Sequence, residues 1–144
     1  MNVVEFAPRV GGGISYLTIR KNTGFDIISS TIDSYLQKKV VVTTNNSHKF
    51  YLINIIYGFP SVFGRLCGIE QLMDEGFIDG VFYHKTSGSS ISDEKASSGR
   101  IASLIVTGKS REEVIKKTAH IFERIHALDI NGKEILNKDL RIKE

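Results

Sequence analysis

Met1-Asn2-Val3-Val4-Glu5-Phe6-Ala7-Pro8-Arg9-Val10-Gly11-Gly12-Gly13 is the stretch on which the reading of this chain turns. Val3, Val4 and Phe6 form a short apolar run that carries one carboxylate, Glu5. The run reads as a strand over residues 2–7, ended by Pro8, which has no N–H to give a ladder. A guanidinium, Arg9, and three consecutive glycines follow. A carboxylate at a strand end suits a hard divalent cation, which prefers oxygen ligands. An arginine forks onto phosphate or carboxylate. Glycines in a row let the backbone approach an anionic ligand with no side chain in the way. Each group also has a plainer reading: a solvated carboxylate at Glu5, a structural ion pair at Arg9, a bare turn at Gly11, Gly12 and Gly13.

Beyond the glycines the pattern becomes helical. Ile14 and Leu17 share a face that runs to Asn22, and Thr23-Gly24 interrupts it. Asp26 is placed to cap, or to sit in the first turn of, a second helix in which Ile27, Ile28, Thr31, Ile32, Tyr35 and Leu36 recur, ending near Lys38-Lys39. The middle reads as strands: 40–44, then a turn at Asn45-Asn46-Ser47, then 50–57, 61–66 and 77–85, with a short helix over 69–75. Residues 86–99, rich in Ser, Gly and charge, read as a loop or a long hairpin connection. A strand over 101–107 leads to the best-marked helix. There Ser110 and Glu113 match a capping box, and Val114, Ile115, Thr118, Ile121, Phe122 and Ile125 form the stripe to be buried. Residues 130–133 read as a turn. The sum is an α+β fold with a mostly antiparallel sheet and flanking helices.

Composition narrows the function classes. A hydrophobic share of 41% and a charged share of 24% suit a globular chain with a real core. The net charge of +3 is scattered apart from Lys38-Lys39 and Lys116-Lys117, so no basic stripe points to nucleic acid. A single cysteine, Cys67, excludes an internal disulfide, no apolar run has the length of a membrane span, and the cytoplasm is expected. His120 and His126, six apart, do not share a helical face as a metal pair would. Arg65 and Arg100, each beside a glycine, rank second as ligand contacts, with His84 behind them; His48, by a turn, reads as exposed. Asp74-Glu75 and Asp93-Glu94 read as solvated acids.

Val-Glu-Phe-Ala-Pro-Arg-Val-Gly-Gly-Gly, followed by a helix, Thr23-Gly24, Asp26 and a second helix, resembles the ATP-grasp superfamily, most closely its carboxylate–amine ligase branch. Ile-Val-Thr-Gly-Lys-Ser-Arg-Glu-Glu-Val, within residues 101–128, is similar to the C-terminal part of biotin-carboxylase-like members. The resemblance implies the C-terminal portion of an ATP-grasp-like fold. Residues 1–39 would be the remnant of the catalytic subdomain, and 40–144 an antiparallel C-terminal α+β subdomain. It implies ATP and Mg2+ as cofactors, Glu5 as metal ligand, Arg9 as catalytic residue, and Gly11, Gly12 and Gly13 as substrate-binding positions. A carboxylate and an amine would be joined through an acylphosphate. Where many members carry a second metal-ligating Asn, this chain has Ala7. The family's nucleotide-clamping lysines and Gly-rich loop lie before this segment, so an N-terminal ATP-grasp half, in cis or in trans, is an expected partner and the chain alone is expected to be inactive. The alternative is a non-catalytic binding or oligomerising module on the same scaffold. A cut domain exposes apolar faces and strand edges, so homo-oligomerisation is a further expectation.

Overall fold

A computed structural model describes residues 12–42, 45, 47–92 and 97–140. The strand expected over 2–7 therefore lies outside the described residues, as do Thr43, Thr44, Asn46 and Asp93-Glu94. The chain divides into two units, 1–49 and 50–144.

The first unit holds two short helices, α1 (Ser15–Thr23) and α2 (Ile27–Tyr35). Gly24 ends α1 in the left-handed conformation (φ 73°), and its N–H donates to the Arg20 carbonyl. Asp26 caps α2, its carboxylate accepting from the Ser29 N–H at 3.1 Å. The second helix stops before the expected Lys38-Lys39. Gln37 turns left-handed (φ 56°), the Gln37 N–H donates to Ser34 O, and the Lys38 N–H donates to Asp33 O. That pair of bonds closes the last turn as a Schellman motif. The expected strand over 40–44 is not formed where it is described. Residues 40–42 are irregular, and Val41 and Val42 are exposed. β-Branched residues make a strand only with a ladder to join. Here the chain turns back to the end of α1 instead: the Asn45 N–H donates to Thr23 O, and the Ser47 N–H to Asn22 O.

The second unit carries two antiparallel three-stranded sheets. One has the order β1 (Phe50–Tyr57), β5 (Arg100–Gly108), β3 (Gly80–Tyr83); the other has β4 (Ser90–Ile91), β2 (Ser61–Cys67), β6 (His126–Asp129). β1 runs alongside β5 from Phe50↔Gly108 to Tyr57↔Arg100, with a bulge at Ile56/Tyr57. Helices α3 (Ile69–Asp74) and α4 (Arg111–Arg124) complete the unit. Ile56, Leu72, Ile101, Leu104, Ile121 and Ile125 lie at the centre of its core. Ser110 caps α4 by accepting from the Glu113 N–H, while the Glu113 carboxylate accepts from the Lys109 N–H, one residue before the cap. Val114, Thr118, Ile121, Phe122 and Ile125 are buried as expected, and Ile115 is half-buried. A polar pair inside this core is satisfied: Asn54 Nδ2 donates to Thr118 Oγ1 at 3.0 Å, and that hydroxyl donates to Val114 O.

Three departures have local causes. The strand expected over 77–85 shrinks to β3 because the Phe77 and Ile78 N–H groups bond back to Leu72 O, while those of His84 and Lys85 converge on Ile101 O. The stretch expected as loop, 86–99, contains β4, held by pairing to β2 through Ser61↔Ile91 and Val62↔Ser90. Residues 126–129 form β6, because Ile125 turns extended (ψ 147°) and the following residues pair with β2. The turn at 130–133 is present: the Asp129 carboxylate accepts from the Asn131 and Lys133 N–H groups.

Candidate functional site

Of the five positions singled out at the start of the chain, Glu5, Arg9 and Gly11 lie outside the described residues, and Gly12 and Gly13 lie within them. Gly13 sits at φ 70°, where a side chain would be strained. Among the described residues, nothing stands within 4 Å of a Cβ added at Gly12 or Gly13. The Gly12 carbonyl accepts from Ser15 Oγ at 3.2 Å, tying the turn to the first residue of α1. Ile14, the cap residue, offers α1 no side-chain oxygen. A glycine turn entering a helix with no side-chain cap leaves partial positive charge at that end.

In the same unit, Phe25, Ile27, Ser30, Thr31, Ser34, Tyr35 and Val40 line an open hollow of about 520 Å³. Its polar groups are hydroxyls. Thr31 Oγ1 is engaged, donating to Ile27 O at 2.7 Å. The charged groups nearby serve the helices. Asp26 faces Arg20 at 3.4 Å, and its carboxyl is held below the ordinary 3.8 mainly by the Ser29 N–H. Asp33 pairs with Lys38 at 3.2 Å.

The second-rank residues are spread over the second unit. Arg65 is exposed on β2 and shares an open hollow of about 440 Å³ with Ser87, Asp129 and Gly132. The Asp129 carboxylate in that hollow is already occupied by Ser61 Oγ and by the turn N–H groups. Gly64 beside it is required by the fold, since a Cβ there would stand 2.4 Å from Asp129 O. Arg100 Nε is buried with no hydrogen-bond partner among the described residues. Its charge is a lesser cause, after burial, of the lowered His84 pKa. His84 Nε2, one residue past β3, lies 2.7 Å from Ser103 Oγ of β5, a pairing that the sequence gives no sign of.

The remaining candidates do structural work. Glu75, expected as a solvated acid, receives both terminal nitrogens of Arg124, which pulls its carboxyl below the ordinary 4.5. His120 stacks on Phe77, with ring centroids 4.5 Å apart, and His126 Nδ1 meets Glu134 Oε2 at 2.6 Å. Cys67 ends β2, half-buried. Among the described residues no three His, Cys, Asp or Glu side chains are grouped to hold a metal ion, and no helix is long and apolar enough to cross a membrane.

No protein-family pattern matches the chain, and no curated protein matches it in sequence. Solved structures do match it. The L-amino acid ligase from Bacillus licheniformis superposes over 84% of this chain at 18% identity with a TM-score of 0.66. The phosphoribosylglycinamide synthetase from Anaerococcus prevotii superposes over 84% at 16% identity with a TM-score of 0.68. In both cases the match occupies 32% of the longer protein, so this chain spans about a third of the length of either. At these identities the likeness is one of fold.

Proposed function

We propose that this chain, which carries a partial ATP-grasp fold, is the C-terminal portion or subunit of an ATP-dependent carboxylate–amine ligase. The observation that carries the reading is the superposition on about a third of two such enzymes, joined to the glycine turn, α1, Gly24, Asp26 and α2 in the order the resemblance requires. Residues 1–39 are the remnant of the catalytic subdomain and 40–144 the C-terminal one.

Glu5 is the residue for Mg2+, a hard cation that takes carboxylate oxygens. When bound, the metal and ATP supply phosphoryl transfer to the substrate carboxylate. Arg9 neutralises charge on phosphate or carboxylate, acting as an electrostatic stabiliser. Gly11, Gly12 and Gly13 leave room for the substrate and present N–H groups. What supports this role is that, among the described residues, nothing stands within 4 Å of a Cβ built at Gly12 or Gly13. The described residues contain no other carboxylate cluster to complete a metal site. In this reading an N-terminal half supplies the remaining ligands, and the chain alone is inactive. A sole cysteine suits a reducing cytoplasm.

The test is Mg2+-dependent ATP turnover by the chain joined to, or mixed with, an N-terminal ATP-grasp half. Glu5→Ala should lower turnover by on the order of a hundredfold or more. Turnover retained in the variant removes Glu5 from the site. One observation favours a second reading, a binding or oligomerising module without chemistry: α2 shows solvent an apolar stripe.

A further inference from the structure

Within the second unit, the side chain whose bonding the fold leaves incomplete is Arg100. Its Nε is buried and has no hydrogen-bond partner among the described residues. It also belongs to none of the ion pairs formed there. A guanidinium stays charged and presents its N–H donors as a planar fork. The Nε–H and one terminal N–H form the side of that fork that grips two oxygens of one carboxylate or phosphate. Buried donors are ordinarily satisfied, so an idle Nε–H calls for an explanation. A missing oxyanion is one that fits the donor.

The register of the sheet decides what stands around it. Ile56 pairs with Ala102, but Tyr57 pairs with Arg100, so at this step β5 has one residue more than β1. Under strict alternation Arg100 would share the face of Ala102 and Leu104. That face packs on α4, as the bond from Asn54, opposite Leu104, to Thr118 shows. The bulge re-aims Arg100 to the other face, where Tyr57, Ile55 and Ser103 lie. The end of β3 brings His84 to the same face: Phe82 pairs with Ser103, and His84 follows two residues later. The 2.7 Å contact between His84 Nε2 and Ser103 Oγ confirms that placement.

The strand pairing thus gathers a cation, an imidazole and a hydroxyl around one end of β5. The imidazole is kept neutral by burial first and by the Arg100 charge second, and no carboxylate figures among the groups that act on it. Positive charge beside neutral hydrogen-bonding groups, with no acid among them, suits an anion and not a metal cation. We propose that Arg100, His84 and Ser103 form a binding site for a small oxyanion, the carboxylate or phosphate group of a ligand. Arg100 grips the anion with its fork. Ser103 donates to His84 Nε2, which leaves the Nδ1–H of the imidazole as a second donor to the anion. The site lies wholly within the second unit and uses none of the residues of the ligase reading, so it stands or falls apart from that reading.

The experiment titrates the whole chain with inorganic phosphate and, in a parallel sample, with acetate, chloride holding the ionic strength constant. NMR follows the Arg100 Nε–H signal, assigned by its loss in Arg100→Lys, and the ring signals of His84. A saturable downfield shift of the Nε–H is expected at millimolar anion. The His84 pKa should rise at saturation, because the bound anion offsets the guanidinium charge. Arg100→Lys keeps the charge and loses the fork, so binding read at His84 should weaken about tenfold; Arg100→Gln should abolish it. His84→Gln leaves Arg100 in place and should weaken the shift at Nε–H about threefold. Saturation by phosphate alone assigns a phosphate group, saturation by acetate alone a carboxylate, and either supports the site. Shifts that do not saturate with either anion overturn it, as does binding of full strength in Arg100→Gln. Should Arg100→Gln disturb the amide spectrum of β5, the lysine and His84 variants decide: full affinity in both overturns the proposal.

Discussion

The two units of this chain are built on opposite principles. Residues 50–144 bury a continuous set of apolar side chains, with Leu104, Ile121 and Ile125 fully enclosed. In the helices of the first unit, no side chain is buried. Those helices are marked out by local devices: the Gly24 stop, the Asp26 cap, the Schellman ending at Gln37, and the Ser47 hydroxyl donating to Asn22 Oδ1 at 2.8 Å. The contrast teaches that local bonding selects where a helix begins and ends, while burial decides whether it persists.

The largest expected effect comes from equivalent truncations in the two units. Leu104→Ala should lower global stability by about 2–5 kcal/mol, through lost burial and the cavity left behind. Ile32→Ala should change it by less than about 0.5 kcal/mol, as an exposed position does. Urea denaturation followed by far-UV circular dichroism reads both, and equal losses would break the comparison.

Removing caps tests it more finely. Ser110→Ala takes the acceptor from the Glu113 N–H and should cost about 1 kcal/mol of global stability. Asp26→Ala removes the bond from the Ser29 N–H and should act on α2 alone. Amide exchange over 27–35 is then faster, with the urea midpoint of the second unit unmoved.

The smallest effect is a pH dependence. Asp26 and Asp129 both titrate below the ordinary 3.8, chiefly because backbone N–H groups of Ser29 and Lys133 respectively hold the ionised form. A depressed carboxyl contributes stability that is complete above its unfolded value and is lost as pH falls through the folded one. Below about pH 4, α2 should therefore fray through Asp26, while the turn at 129–133 loosens through Asp129. Exchange measured across that window should lose its α2 component in Asp26→Asn and its turn component in Asp129→Asn. An unchanged acid response in Asp129→Asn would remove that carboxyl from the linkage.

Much of this was legible because it is local. Asp26, Gly24 and Ser110 act on N–H and carbonyl groups within a few residues, so their identities reveal their roles. The α4 stripe repeats at helical spacing and finds its core. Residues whose partners are distant in sequence gave no such sign. Glu75 lies 49 residues from Arg124, and His84 lies 19 from Ser103. Val40, Val41 and Val42 carry strand propensity with no ladder to meet it. Residues 126–129 follow a helix directly and become a strand because β2 offers an edge.

By itself the sequence determined the α+β class, the Ser110 cap of α4, the Gly24 stop of α1 and the glycine turn leading into α1, since each rests on propensities and bonds spanning a few residues. Tertiary structure alone decided that β5 lies between β1 and β3, that Gly64 must let β2 approach β6, and that Glu75 belongs to Arg124. Those outcomes depend on which surfaces meet in space, and pairing between distant segments is settled by packing and hydrogen-bond satisfaction across the whole fold.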